Sequence, residues 1–344
     1  MLRTLLLAPV LLAALSLDAV AGVDDATRKQ VIAELGNKVK EVYVFPDKAR
    51  QVAERLEARE RGGAYRAAKD LRAFADLLTS DLRQPTGDKH LGVRYSAKPL
   101  PEDKDTPEPT PEMDRQYADY LKSQNYGIRK VETLPGNIGY IDLREFAGAR
   151  FAKPALGAMM SLVADTDALI VDLRKNGGGD PHAVAWMQSY LFDGRTHLND
   201  MYWREGGRTD AFWTEADVPG KKFGGAKKVY VLTSKDTFSG AEEFSYNLQQ
   251  QRRGTIVGET TGGGAHPGRS YRIHPHLWVF LPSGRAINPV SKTNWEGTGV
   301  VPDVKAKAAD ALRTAERLAL AELLKAPTDE EHAERLRKRL DALK

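Results

Sequence analysis

The stretch "TFSGAEEF" places a serine, Ser239, between an apolar run and a predicted helix. A serine followed three residues later by a glutamate is the capping-box signature of a helix start. The free N–H groups and the dipole at a helix N-terminus also favour negative charge, including that of an alkoxide or a tetrahedral oxyanion. Ser239 is therefore a candidate helix cap and a candidate nucleophile, and its local sequence alone leaves both interpretations open.

Two glycine-containing loops follow predicted strands of this chain. Asn176-Gly177-Gly178-Gly179 follows the apolar run 168–173, and Gly240 opens the helix after the run 229–233. Ligands bind outside the carboxyl ends of strands in open α/β sheets. The N–H of Gly240 and that of Gly177 or Gly178 could converge on an oxyanion. The loop lacks the spacing of nucleotide-binding glycine motifs, so we expect no nucleotide.

A nucleophilic serine needs a base, and two of the histidines have suitable surroundings. His90 lies in "GDKHLGV", a turn that enters a predicted strand and can turn the ring into a cleft. His266 lies in "TGGGAHPG" and is either the alternative base or a substrate-binding residue. Glu296 stands next to Trp295, where partial desolvation would suit a carboxylate that orients a histidine.

Other classes of site are disfavoured. His274 and His276 share one strand face but have no third ligand of suitable spacing, so we expect neither a metal nor another cofactor. The chain contains no cysteine, which excludes disulfides and thiol chemistry. Its net charge is +4 without a dense basic stripe, so nucleic acid is not an expected partner.

Strands alternate with helices in the region that carries these residues, which predicts an α/β fold with partly parallel strands. We predict the catalytic αβ core at 131–307 and a helical domain at 22–88. A strand and a linker rich in prolines and acidic residues fill 89–130, and further helices fill 308–344.

The N-terminus predicts export. Residues 1–21 contain an early arginine, a short apolar run and the sequence Ala19-Val20-Ala21, which together are typical of a cleaved signal peptide. After cleavage we expect no stable membrane insertion. An exported chain without cysteine fits the bacterial periplasm.

Several motifs in order resemble the C-terminal-processing (tail-specific) serine peptidase family, in its branch of interphotoreceptor retinoid-binding proteins and tricorn cores. They are "YVFPDKA", "GDKHLGV", "GNIGYIDLREF", "DLRKNGGGD", "VYVLTSKDTFSGAEEF", "GTIVGETTGGGAHPG" and "RAINPVSKTNWEGTGVVPDV", and they extend over residues 30–305. The resemblance implies a crotonase-like αβ core.

The resemblance also implies roles for individual residues. Ser239 would be the nucleophile, His90 the general base and Glu296 the distal carboxylate. The oxyanion donors would be Gly240 and a glycine of the 177–178 pair, and Gly263, Gly264 and His266 would contact substrate.

Three departures from the family pattern limit the catalytic arrangement and the domain content that we expect. Gly264 stands where Ser-Lys peptidases carry the lysine, which disfavours a Ser-Lys dyad. Lys89 replaces the serine that precedes the base in tricorn, so the pattern does not supply the link from Glu296 to His90. The roughly forty residues between the His90 strand and "GNIGYI" are too few for an inserted PDZ domain.

The expected function is an exported serine endopeptidase acting on peptides or unfolded proteins, with oligomers possible. The alternative is a non-catalytic carrier of retinoid-like or lipid-like molecules on the same fold, which would not require Ser239, His90 and Glu296 together. An acyl-CoA enzyme of the crotonase type is disfavoured by export, since CoA thioesters are cytosolic.

Overall fold

The computed structural model describes residues 23–101 and 110–344. The predicted signal peptide, 1–21, lies outside the described residues, and so does the middle of the predicted linker. Within the part that is described, no helix is long and apolar enough to cross a membrane.

The helices of the described residues flank three sheets. They are α1 (Asp25–Val42), α2 (Pro46–Arg61), α3 (Leu71–Thr86), α4 (Pro111–Ser123), α5 (Ala149–Leu162), α6 (Pro181–Gln188), α7 (Gly240–Gln250), α8 (Ala311–Leu323) and α9 (Glu330–Ala342).

The strands in the same residues vary from two to seven residues in length. They are β1 (Gly92–Tyr95), β2 (Ile128–Leu134), β3 (Ile138–Leu143), β4 (Ala168–Asp172), β5 (His197–Trp203), β6 (Thr209–Trp213), β7 (Lys228–Thr233), β8 (Thr255–Gly258), β9 (Gly268–His274), β10 (Leu277–Pro282), β11 (Gly284–Ile287) and β12 (Val304–Lys305).

The central sheet has the strand order β12-β8-β7-β4-β3-β2. Only β2 runs antiparallel to its neighbour, and the other pairs are parallel. Strands β3 and β4 are buried along their whole length, as expected for parallel strands covered on both faces. Helices α5, α6 and α7 share a core with one face, whereas α8 and α9 share a core with the other. The predicted α/β core is confirmed, and a crotonase-like arrangement is consistent with it.

The predicted helical region at the N-terminus is also confirmed, but its core includes residues from much later in the chain. Helices α1, α2 and α3 pack on the antiparallel sheet β1-β10-β9, and the two layers share one apolar core. Asp24 and Asp70 cap α1 and α3 by accepting backbone N–H groups, and Pro46 begins α2. The sheet therefore holds the helical layer against β1, the strand that closely follows His90.

Part of the predicted linker is helical. Residues 111–123 form α4, whose start has Thr110 as a side-chain cap, Pro111 in the first turn, and the acidic Glu112 and Asp114 near the positive end of the helix. These local signals favour a helix. The prolines of the surrounding segment led instead to the prediction of a linker.

Candidate active site

Ser239 occupies a strained backbone position between β7 and α7. Its φ of 54° and ψ of −122° are unusual for a residue with a Cβ. Such positions cost about 1–3 kcal/mol and persist where the surroundings fix them. Here Thr237 donates its hydroxyl to the carbonyl of Leu173 at 2.8 Å, and Phe238 donates its N–H to the carbonyl of Asn176 at 3.1 Å. A serine on a sharp strand-to-helix turn is the arrangement that presents a nucleophile above a sheet.

Glu242 ties the start of α7 to the glycine-rich loop that follows β8. Its buried carboxylate accepts the N–H of Ser239 at 2.8 Å, which is the expected half of a capping box. It also accepts the N–H groups of Gly263 at 2.6 Å and Gly264 at 2.9 Å, and the hydroxyl of Thr261 at 2.5 Å. Burial raises the pKa of this carboxyl, and the four donors oppose that rise. One side chain thus holds the start of α7 and the loop after β8 together.

The glycine loop after β4 lies directly against the candidate nucleophile. A Cβ on Gly178, whose φ is 110°, would lie 2.7 Å from the Cβ of Ser239. The Gly178 N–H donates to the side-chain oxygen of Asn176 at 2.8 Å. Among the described residues, no acceptor binds the N–H of Gly177 or of Gly240. Of the donors expected from the sequence, Gly177 and Gly240 therefore keep N–H groups that are not already paired within the described residues.

The imidazole of His90 packs on the ring of Phe238, the residue that directly precedes Ser239. The His90 and Phe238 ring centroids are 4.6 Å apart, and Phe280 of β10 stacks on the imidazole at 5.8 Å. The Nδ1 atom of His90 is buried and has no hydrogen-bond partner. Burial lowers the pKa of His90 to about 4. The imidazole is therefore neutral at physiological pH, which is the state a proton acceptor requires.

The packing around His90 explains why glycine stands at position 264. A Cβ there would lie 2.3 Å from the Cζ of Phe238 and 2.7 Å from the Cε1 of His90. The imidazole thus occupies the space that a side chain at this position would need. A lysine at 264 is incompatible with His90 as it is placed here.

A buried carboxylate that the sequence analysis did not single out, Asp88, joins the two histidines. Its Oδ1 accepts the backbone N–H of His90 at 2.9 Å and lies 3.9 Å from the His90 Nδ1. Its Oδ2 lies 2.7 Å from the Nδ1 of His266 and accepts the hydroxyl of Tyr43 at 3.2 Å. Burial opposes the charged form, but the hydrogen bond with His266 and the two nearby imidazoles lower the pKa of Asp88 overall. The sequence signal for Asp88 was its place two residues before His90 and directly after Gly87.

Glu296 contacts His266 rather than His90. Its Oε2 accepts the N–H of Ala265 at 2.6 Å and lies 3.4 Å from the His266 Nδ1. Its Oε1 is buried without a hydrogen-bond partner. Burial and the negative charge of Asp88 raise the pKa of Glu296 to about 7. The expected desolvation beside Trp295 is thus present, whereas among the described residues no hydrogen bond links Glu296 with His90.

The carboxylates of Asp88 and Glu296 and the imidazole of His266 form a group that could hold a cation, with ligand atoms within 4.8 Å of one another. The 2.7 Å between the His266 Nδ1 and the Asp88 Oδ2 is a hydrogen-bond distance. Neighbouring ligands of a tetrahedral zinc, bound at about 2.0–2.1 Å, lie about 3.3 Å apart. The group therefore fits a hydrogen-bonded array better than a zinc centre. The expectation of no metal stays a prediction.

The structure brings Ser239, His90, Gly178 and Gly240 together around Phe238. Within the described chain, neither His90 nor His266 forms a hydrogen bond with the Ser239 hydroxyl, and such bonds often tighten only in substrate complexes. The residues expected to bind substrate have other partners. The N–H groups of Gly263 and Gly264 are held by Glu242, and the buried His266 is held by Asp88. These three residues therefore support the site from the protein interior through their contacts with Glu242 and Asp88.

Solved structures share this fold at low sequence identity. The chain superposes on a candidate peptidase from Parabacteroides merdae with a TM-score of 0.59 and 19% identity, covering 86% of this chain and 97% of that one. A lipoprotein from Streptococcus agalactiae gives 0.57 and 13%, covering 86% and 96%. The tricorn protease gives 0.52 and 14%, covering 84% of this chain and 35% of the much longer tricorn chain.

Two sequence models of one family match consecutive parts of the chain. The N-terminal domain of peptidase family S41, as found in eukaryotic interphotoreceptor retinoid-binding protein, matches residues 24–124. The model of the peptidase family S41 domain itself matches residues 137–306, which hold Ser239, His266 and Glu296. The chain therefore belongs to peptidase family S41 and is a serine-type peptidase.

Proposed function

We propose that this protein is an exported serine endopeptidase in which Ser239 is the nucleophile and His90 the general base. The observation that carries the assignment is the strained start of α7. Ser239 is held there at φ 54°, with the neutral imidazole of His90 packed on the preceding residue. A simple helix cap requires neither the strain nor the adjacent histidine.

The reaction follows from the atoms placed around Ser239. The Oγ of Ser239 attacks the scissile carbonyl carbon and its proton passes to the Nε2 of His90, the ring nitrogen that does not face Asp88. The N–H groups of Gly240 and Gly177 donate to the resulting oxyanion; losing one such donor typically costs about 3–4 kcal/mol of transition-state stabilisation. His90 then gives the proton to the leaving amine, and a water molecule deacylates the serine by the same route.

The proposed substrate is a peptide or an unfolded protein. Membership of a peptidase family supports peptide-bond hydrolysis, and the unfolded state of a protein substrate is part of the proposal. Cleavage within the chain of the substrate and export to the periplasm are parts of the proposal. Export is supported by the charged, apolar and small-residue pattern of residues 1–21.

Labelling with a fluorophosphonate and hydrolysis of an unfolded protein test the assignment. We expect the reagent to modify Ser239, and Ser239→Ala to lose labelling together with about 10⁶-fold in kcat. Ser270→Ala is the matched control, since Ser270 is an exposed serine of β9, and it should retain both properties. Full peptidase activity in folded Ser239→Ala would refute the proposal, as would labelling at another residue.

A further inference from the structure

We propose that Asp88 is the carboxylate that positions His90 and stabilises its imidazolium, and that Glu296 acts one step further away, through His266. This inference rests on the proposed function of Ser239 and His90. It changes the order of the array from serine, histidine and glutamate to Ser239, His90, Asp88, His266 and Glu296.

Asp88 contacts His90, whereas Glu296 contacts His266, as this order requires. Asp88 holds the backbone of His90 at 2.9 Å and places its Oδ1 3.9 Å from the ring Nδ1, a gap that a small ring movement closes. Glu296 has its shortest histidine contact with His266, at 3.4 Å. The unpartnered Nδ1 of His90 therefore has Asp88 as the carboxylate beside it.

The surroundings of Asp88 keep it ionised and fixed. Its side chain is about 1% exposed, and Tyr43, His266 and the His90 backbone all donate to it. An ionised carboxylate can only accept, so the proton of the short contact lies on the His266 Nδ1. A buried charge with such partners is preorganised for the imidazolium that appears during the reaction.

Glu296 is less suited to that role. A carboxyl with a pKa near 7 is partly protonated at neutral pH, because burial and the charge of Asp88 both disfavour its ionised form. Its fixed contacts are the N–H of Ala265 and the ring of His266. Its place in the array is therefore to hold the loop and the ring that in turn hold Asp88.

The chain supplies a matched control for Asp88 in Asp81. Asp81 is also buried, at 2% exposure, and accepts a tyrosine hydroxyl, that of Tyr65 at 2.8 Å. Its charge partners are Arg55 and Arg59 on α2 rather than a histidine. Asp81→Asn thus removes a buried, tyrosine-bound carboxylate without touching the array.

The experiment compares Asp88→Asn, Glu296→Gln and Asp81→Asn by steady-state kinetics. We expect Asp88→Asn to lose about 10³-fold or more in kcat with little change in KM, as for loss of a triad aspartate. Glu296→Gln should lose less than about 10-fold. Asp81→Asn should lose stability to urea but keep kcat. A larger kcat loss in folded Glu296→Gln than in Asp88→Asn would overturn the inference.

A second measurement does not depend on turnover. A peptide boronic acid forms a tetrahedral adduct on the serine, and NMR of the imidazole then gives the pKa of His90 in that adduct. Asp88→Asn should lower this pKa by about 1–3 units, because it removes the opposite charge near the ring. Glu296→Gln should leave it nearly unchanged, and the reverse result would overturn the inference. Full peptidase activity of Ser239→Ala would instead refute the proposed function, so the two failures are distinct.

Discussion

The backbone N–H of Ser239 donates to the carboxylate of Glu242 at 2.8 Å, and the same carboxylate accepts the N–H groups of Gly263 and Gly264. Two loops that leave different strands are thus held by one buried acid. The geometry of Ser239, the proposed nucleophile, and the packing of Gly264 beside His90 depend on the same group.

Replacing Glu242 with glutamine should impair catalysis and stability together. The glutamine has one acceptor oxygen, and its NH₂ group would face donors that now meet a carboxylate. We expect Glu242→Gln to lose about 2–4 kcal/mol of unfolding free energy, because buried donors lose their acceptor. We also expect about a 10²-fold loss of kcat, since the Ser239 turn loosens. Urea unfolding and initial rates on an unfolded substrate measure the two effects.

Glu243→Gln is the natural control for that variant. Glu243 is the next residue of α7 and is equally buried, but its side chain bonds to Asn199 and not to the Ser239 loop. It should retain kcat. Unaltered activity in Glu242→Gln would contradict the view that this acid sets the serine geometry.

The acidic limb of the rate profile should report the low pKa of His90. A general base must be neutral, so kcat/KM falls as the pH drops through the pKa of the free enzyme. Burial lowers that pKa to about 4, well below the usual 6.5 of a histidine. We expect kcat/KM to stay nearly level from pH 7 to about pH 5, to be halved near pH 4, and to fall tenfold per pH unit only below that. A limb centred near pH 6.5 in protein that remains folded would contradict the assignment.

Gly264→Ala tests the packing that places His90. The added methyl would overlap the Phe238 ring and the His90 Cε1, so one or both rings must move. Because misplacement by about 1 Å can cost about 10²-fold in rate, we expect a loss of that order in kcat. Gly194→Ala is the control, since a Cβ there meets nothing within 4 Å. Wild-type kinetics for folded Gly264→Ala would show that the ring position does not matter.

Sequence reasoning worked where the decisive signals are local. An apolar strand, a glycine-rich loop and a serine at a helix start predict the strand, the turn and the cap at Ser239, because each signal acts within a few residues. It also identified the histidines, but could not choose between them. His266 and Asp88 lie 178 residues apart. They meet because β1, which follows Asp88, and β9, which follows His266, both pair with β10.

Two further differences between the expected and the observed site concern contacts of individual side chains. The resemblance paired Glu296 with His90, whereas the fold inserts Asp88 and His266 between them. In the sequence analysis Gly177 and Gly178 were equivalent candidate donors to the oxyanion. In the structure the side-chain oxygen of Asn176 accepts the N–H of Gly178 and not that of Gly177. Such choices depend on side-chain geometry inside a folded loop, which residue spacing does not encode.

Glu243 should make stability fall as the pH rises. It is fully buried, and burial raises its pKa to about 8, against about 4.3 in an unfolded chain. Between those values the native state holds a proton that the unfolded state has released, so each pH unit removes about 1.4 kcal/mol of unfolding free energy from this group. Below about pH 4 both states are protonated, and above about pH 8 both are ionised, so the loss is confined to this window.

Glu243→Gln should therefore stabilise the protein at neutral pH. The amide stays neutral, and its NH₂ group can donate to the buried, unpartnered side-chain oxygen of Asn199. We expect its advantage over wild type to grow by about 2–3 kcal/mol from pH 5 to pH 7, as measured by urea unfolding at both values. A difference that does not change with pH would mean that Glu243 is ionised in the native state, held by a charge partner that the described residues do not supply.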